Sequence, residues 1–229
     1  MSHLRGIFIV IEGLDKAGKS TQCARLVANI RDKLNKPVVQ MRFPDRTTPT
    51  GKMINDYLKG DTEVDDHTIH LLFSANRWEA APRIRELLLN GTSVVVDRYY
   101  WSGIVYSLAK ERDDLTFKWA RGCDIGLPMP DRCFFLDLDP TLARQRGGGY
   151  GEERYEKEAV QLKVREKFEF VFKKEDHYHV TPLNANMPVE QMEKMLLKWA
   201  ESYFQQATLS GWKIDSVAPL FQEPRQEEE

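Results

Sequence analysis

The nine residues Gly13-Leu14-Asp15-Lys16-Ala17-Gly18-Lys19-Ser20-Thr21 constrain this chain more than any other stretch of it. They match G-x-x-x-x-G-K-[ST], follow the apolar, β-branched run 7–11, and lead into a segment whose apolar residues recur every three or four positions. A strand, a glycine turn and a helix in that order leave backbone N–H groups pointing inward at the helix N-terminus, where the macrodipole also favours negative charge. Such a turn cradles the phosphates of a nucleoside triphosphate. Gly13, Asp15, Lys16, Ala17, Gly18 and Thr21 belong to the cradle, Lys19 reaches the β- and γ-phosphates, and the Ser20 hydroxyl joins a Mg²⁺ shell. A plain glycine turn with a surface lysine accounts for none of this context.

The same alternation continues along the chain. Strand-sized apolar runs stand at 6–11, 38–43, 93–97, 133–137 and 177–180, and every interval between them holds a segment of helical period. Cys23, Leu26 and Ile30 form one stripe; Val160, Val164, Phe168 and Val171 a second; Met192, Leu196, Trp199 and Tyr203 a third. Residues 65–90 also read as helical, with Pro82 expected to divide them in two. The expectation is an α/β domain, residues 1–206, with a mainly parallel sheet covered by helices on both faces. The glycine-rich 147–151, set among Arg144, Arg146 and Arg154, predicts a mobile lid over about 144–156. Residues 207–229 form an extension whose Pro- and Glu-rich end, 222–229, is expected to be disordered.

Charge narrows the partners. With 33 Lys+Arg against 35 Asp+Glu the net charge is −2, which argues against non-specific binding of nucleic acid or of an acidic membrane surface. No apolar run approaches the roughly 20 residues of a membrane span. Cys23, Cys123 and Cys133 are odd in number and lack C-x-x-C spacing, and no signal or transit segment precedes the first strand, so the expected home is the cytoplasm, with possible nuclear access.

Residues able to bind a phosphoryl acceptor gather at the ends of the strands. Val94-Val95-Val96-Asp97-Arg98 places a carboxylate and a guanidinium where open α/β sheets bind ligands; Asp97 could hold Mg²⁺, and Arg98 could span donor and acceptor phosphates. Asp139, another acid after a strand, is followed by Pro140 and reads better as a helix N-cap. Phe43-Pro44-Asp45-Arg46 closes the second strand with an arginine fork, which alone also suits a solvated surface charge. Phe73 and Arg77 lie one helical turn apart, so a base could stack on the ring while the guanidinium bonds its edge; an aromatic at that spacing is as readily core, and Tyr106 shares the ambiguity.

Together these pieces resemble the thymidylate kinases, in the eukaryotic and poxviral branch, over about residues 6–205. The marks are G-L-D-K-A-G-K-S-T at 13–21, F-P-D-R at 43–46, H-L-L-F-S-A-N-R-W-E at 70–79, V-V-D-R-Y at 95–99 with S-G at 102–103, and G-L-P-M-P-D at 126–131. The resemblance implies a P-loop fold with a five-stranded parallel sheet, a homodimer, and transfer of the ATP γ-phosphoryl group to dTMP with Mg²⁺. It implies that Asp15 binds the 3′-hydroxyl, that Phe43, Arg46 and Arg98 serve dTMP and its phosphate, and that Phe73 stacks on thymine while Arg77 bonds a base carbonyl. Ser102 and Gly103 would line the base pocket, Tyr106 its floor, and Tyr155 would close over the sugar from the lid, which carries Arg144, Arg146, Glu153 and Arg154. The catalytic set so implied is Lys19, Lys16, Arg98, Asp15 and Asp97. Animal members carry Arg in place of Lys16, and a lysine cannot bridge two oxygens in a plane, so the lid arginines are expected to share its task. A kinase for another pyrimidine nucleotide or a deoxynucleoside, and a nucleotide sensor without turnover, are the competing readings; the sensor would be expected to lack Lys19, Asp97 or Arg98.

Overall fold

Strand β1 (Phe8–Gly13) is buried along its whole length, and a strand apolar on both faces belongs in the middle of a sheet covered on both sides. The computed structural model of the chain, which describes residues 5–139, 153–175, 179–210, 214, 215 and 217, places it there. The other strands are β2 (Val38–Arg42), β3 (Ser93–Asp97), β4 (Arg132–Asp137) and β5 (Val180–Asn184). All pairs are parallel, in the order β2-β3-β1-β4-β5, with Ile11 opposite Asp97 and Gly13 opposite Leu136. The helices are α1 (Lys19–Asp32), α2 (Pro49–Lys59), α3 (Asp66–Leu89), α4 (Tyr100–Leu108), α5 (Phe117–Gly122), α6 (Glu158–Lys174) and α7 (Val189–Ser210).

Alternation along β1 divides the core. Ile7, at its approach, Ile9 and Ile11 pack with Cys23, Leu26 and Ile30 of α1 and with Met192, Leu196 and Tyr203 of α7. Phe8 and Val10 face Ala81, Ile84 and Leu88 of α3, Ile104 of α4 and Val164 and Phe168 of α6. At about 1.5–3 kcal/mol for each fully buried large apolar side chain, these two layers supply most of the drive to fold. A smaller cluster, Ile54, Tyr57 and Leu58 of α2 against Ile69 of α3, holds α2 beside the strand ends, and Phe73 and Tyr155 pack at its rim.

Three sequence expectations are corrected. Helix α3 runs unbroken through Pro82. The proline removes one backbone bond, at a cost of about 3 kcal/mol, but Ala81, Ile84 and Leu88 immediately around it are buried in the core and offset that loss. The last strand is Val180–Asn184 rather than 177–180, of which 177 and 178 lie outside the described residues. Pro182 lies inside this strand, and β5 is an edge of the sheet, where a missing N–H is tolerated. The boundary expected at 206 falls inside α7, and beyond that helix Val217 is buried and exchanges backbone hydrogen bonds with Gly126 and Leu127, so this part of the extension belongs to the domain. Residues 140–152, with Arg144, Arg146 and the lid glycines, and the tail 218–229 lie outside the described residues.

Candidate active site

The phosphate turn joins central β1 to α1, with Gly18 as the helix N-cap at φ 92°. A Cβ there would meet nothing within 4 Å, so the space beside the start of the helix is open. Lys16 and Arg98 hold left-handed backbone at φ 62° and 68°, unusual for non-glycine residues and characteristic of sites where the fold fixes a side chain's direction. Lys19 is 6% exposed and donates from Nζ to the Leu14 carbonyl at 2.6 Å. Burial first, and the charge of Arg98 next, bring its pKa down to about 8.

At the end of β3, Asp97 is 1% exposed. Its Oδ2 accepts from the Ser20 hydroxyl at 2.5 Å, while Oδ1 is buried with no hydrogen-bond partner among the described residues. Buried carboxylate oxygens rarely go without a hydrogen-bond partner, so Oδ1 is an atom to which a water or a ligand could bond. A hydroxyl and a carboxylate oxygen side by side form a hard, oxygen-only set that suits Mg²⁺, whose remaining ligands are customarily phosphate and water. The described residues contain no cluster of three or more His, Cys, Asp or Glu that could hold a metal alone.

Arg98 links the turn to the neighbouring cavity. Its Nη1 donates to the Gly13 carbonyl at 3.2 Å and to Ser102 Oγ at 3.1 Å, its Nη2 to Asp15 Oδ1, and its plane lies 5.4 Å from the Tyr106 ring centroid. The other Asp15 oxygen accepts from the Tyr106 hydroxyl at 3.2 Å and Gln161 Nε2 at 2.8 Å, and Gln161 Oε1 accepts the Asp15 N–H at 3.0 Å.

Beyond Arg98 a cavity of about 180 Å³ opens between α2, α3, α4 and residues 153–156. Every residue expected to hold the acceptor lines it: Asp15, Phe43, Arg46, Phe73, Arg77, Arg98, Ser102, Gly103, Tyr106 and Tyr155. Phe43 is also core, stacked at a tilt on Tyr99, whereas Phe73 is only half-buried and leaves ring surface for the cavity. Arg77 is 2% exposed, its Nε and Nη2 gripping the fully buried Asp124 at 3.0 and 2.8 Å. Gly103 is dictated by that arginine, since a Cβ would stand 2.7 Å from Arg77 Nη2. Arg46 grips Glu153 with both Nη atoms, at 2.7 and 2.9 Å, and Lys16 lies 3.9 Å from Glu156, so residues beyond the lid glycines reach both the acceptor side and the phosphate turn. Tyr155 bonds the Tyr57 hydroxyl at 3.0 Å and packs 5.2 Å from the Tyr106 ring. Arg154 is not brought to the phosphates: it pairs with Glu63 through two hydrogen bonds and lies 4.3 Å from the Tyr57 ring centroid, on the side of α2.

Sequence reasoning passed over four residues that hold this arrangement. Glu12, fully buried, accepts from Tyr99 N–H at 2.8 Å and from Ser102 N–H and Oγ at 3.1 and 2.6 Å, so it caps α4 and supports the serine that holds Arg98. Burial raises its pKa above the usual carboxylate value despite the nearby arginine. Asn76 bonds Asp45 N–H, Asp45 C=O and Thr48 Oγ1, pinning the loop that carries Arg46. Asp124 and Gln161 have no local pattern to announce them; Glu12, a charge ending an apolar strand, and Asn76, a polar residue on the Phe73–Arg77 helix, did have one.

Comparison with known proteins places the chain in a family. Residues 11–196 match the family model described as thymidylate kinase. A thymidylate kinase of Dictyostelium discoideum is 44% identical over 207 residues, 90% of this chain and 90% of its own. That of Homo sapiens is 45% identical over 161 residues, 70% of this chain and 74% of its own. Among solved structures, a thymidylate kinase from Candida albicans matches with a TM-score of 0.81 at 34% identity, over 93% of this chain and 99% of that one.

Proposed function

This chain belongs to the thymidylate kinase family, and from that premise we propose how its residues divide the work of phosphorylating dTMP with ATP to give dTDP. The observation that carries the division is the position of Arg98, bonded to the phosphate turn on one side and lining the cavity of Phe73 and Arg77 on the other.

An oxygen of the dTMP phosphate attacks the γ-phosphorus in line, and ADP departs with the bridging oxygen. The acceptor, with a second pKa of about 6, is already largely a dianion at neutral pH, so no general base is needed. What the protein supplies is placement and positive charge. The phosphate turn and Lys19 hold the donor, and Lys16 adds charge where it develops. Arg98 and Arg46 hold the acceptor phosphate, which competes with Glu153 for the fork of Arg46. Thymine stacks on Phe73, and Nη1 of Arg77, the donor Asp124 does not engage, bonds a base carbonyl. Asp15 and Tyr106 place the sugar, and Tyr155 closes it in. Ser20 and Asp97 would hold Mg²⁺, which when bound supplies charge to the phosphate oxygens. Arg144 and Arg146 would come from the lid to exclude water and add charge.

The described residues read as one kinase domain that works as a homodimer, supported by exposed Leu71 and Trp78 on α3 and Ile125 beyond α5; sedimentation should give twice the chain mass. Its place is the cytoplasm, in keeping with three free thiols among the described residues. No helix among the described residues is long and apolar enough to cross a membrane.

A coupled assay of ADP release with dTMP, dUMP, UMP, CMP, AMP and thymidine tests the mechanism. The highest kcat/KM is expected for dTMP and none for thymidine, which lacks the phosphate that Arg98 holds. Lys19→Ala should lower kcat by at least about a hundredfold in a folded protein; turnover within threefold of wild type would remove the phosphate turn from the mechanism.

A further inference from the structure

The base end of the cavity is closed by a pair of side chains that neither phosphate chemistry nor ring stacking employs. His70 lies on α3 one turn before Phe73 and two before Arg77, on the same face, and Ser107 lies on α4 one turn beyond Gly103. Both line the cavity and both are otherwise enclosed, at 1% and 5% exposure. His70 Nε2 stands 2.8 Å from the Ala120 carbonyl oxygen, and Nδ1 stands 2.7 Å from Ser107 Oγ.

Those two contacts determine where the protons are. A carbonyl only accepts, so Nε2 must carry the ring proton. Burial, and then the charge of Arg77, push the imidazole pKa down to about 4, so at neutral pH that is the ring's single proton. Nδ1 is therefore a bare acceptor, and the Ser107 hydroxyl must donate to it. The Ser107 proton being committed, its oxygen has lone pairs alone to offer the cavity. Arg77 Nη1, on the same face of α3, can only donate. The wall of the base pocket thus pairs an obligate donor with an obligate acceptor.

That pair complements the imide edge of thymine or uracil, where a carbonyl oxygen stands beside N3–H. It opposes cytosine, which presents an amino group beside a bare N3, so that donor would meet donor and acceptor would meet acceptor. We propose that His70 is a positioning residue for base choice: by taking the Ser107 proton it makes Ser107 the acceptor for N3–H, and with Arg77 the pair selects an imide base and rejects cytosine. This rests on the reading of the cavity as the dTMP site.

The test is steady-state kinetics with dTMP and dCMP on wild type, His70→Phe, Ser107→Ala and Ser107→Thr, with KM for ATP measured alongside. Loss of one hydrogen bond to a buried polar group predicts that Ser107→Ala lowers kcat/KM for dTMP about tenfold, mainly through KM. Ser107→Thr, which keeps the hydroxyl, should restore it. His70→Phe keeps the ring's bulk but frees the Ser107 proton, so the ratio of kcat/KM for dTMP over dCMP should fall at least about tenfold with KM for ATP unchanged. A folded His70→Phe protein with the wild-type ratio overturns the proposal. Should that variant not fold, the serine pair decides: an unchanged dTMP-to-dCMP ratio in Ser107→Ala overturns it, and a tenfold narrowing reversed by threonine supports it. Wild type that turns over dTMP while the variants leave the ratio untouched sinks this inference alone; wild type without activity on dTMP sinks the functional reading and this inference with it.

Discussion

Removing Asp124 should damage the protein in two separable ways. The carboxylate is fully buried and receives three hydrogen bonds, from Arg77 Nε at 3.0 Å, Arg77 Nη2 at 2.8 Å and Ser74 Oγ at 2.9 Å. Asp124→Ala leaves the guanidinium almost wholly enclosed and unpaired, while Ser74 retains the Cys123 carbonyl at 3.0 Å as a partner. Two charge-assisted bonds at about 1.5–3 kcal/mol each give a loss of about 3–6 kcal/mol, and breaking buried ion pairs typically costs about 3–5 kcal/mol. Against a total stability of about 5–15 kcal/mol the variant should stay folded but unfold at clearly lower denaturant. The double variant Arg77→Met with Asp124→Leu fills the same space with apolar groups and should recover most of that stability. It should not recover dTMP binding, because no donor then faces the base. Urea unfolding followed by circular dichroism, with KM for dTMP and ATP on the same preparations, reads both effects. A loss below about 1 kcal/mol in Asp124→Ala would show that water reaches the pair. A double variant with wild-type KM for dTMP would show that Arg77 is structural and the base is read elsewhere.

Phe73→Ala should weaken dTMP binding by about 1–3 kcal/mol, the usual worth of a base on an aromatic ring, with ATP affinity almost unchanged; equal losses for both ligands together with a lower Tm would make the ring core. The Lys19 pKa of about 8 lies below the ordinary 10.5, so as pH rises from about 8 toward 10 the folded protein loses the proton that phosphates need, and calorimetric ATP affinity should decline by up to about tenfold per pH unit. Over the same window the unfolded chain still holds that proton, so Lys19 taken alone makes stability rise with pH; Lys19→Met should abolish both slopes, and an unchanged affinity slope in that variant would refute the assignment. Because Arg154 is tied to Glu63 and Tyr57, Arg154→Ala is expected to raise KM for dTMP by loosening residues 153–156, with kcat within about threefold of wild type. A tenfold fall in kcat at unchanged KM would mean that Arg154 leaves α2 to meet the transferring phosphoryl group.

The sequence by itself determined the features that local order dictates. A glycine turn between a doubly buried strand and an amphipathic helix admits few folds, and it set the place of the phosphate turn, Ser20 and Lys19. Strand-sized apolar runs and period-3.6 patterns then marked four of the five strands and the three helical stripes, because a strand covered on both faces is apolar at successive positions while a helix covered on one face is apolar along one stripe. Long-range pairing decided the rest. Pro82 and Pro182 carry the same local signal against regular structure, and only their neighbours, core contacts around one and a free sheet edge beside the other, say that both lie within an element. The reach of Arg77 depends on Asp124, forty-seven residues away along the chain, and Gly103 is a glycine because Arg77 lies against it. Arg154 looked like any basic lid residue until Glu63, just beyond α2, supplied a partner for it. A charged side chain takes its direction from whichever opposite charge the fold brings near, and that choice is made in three dimensions.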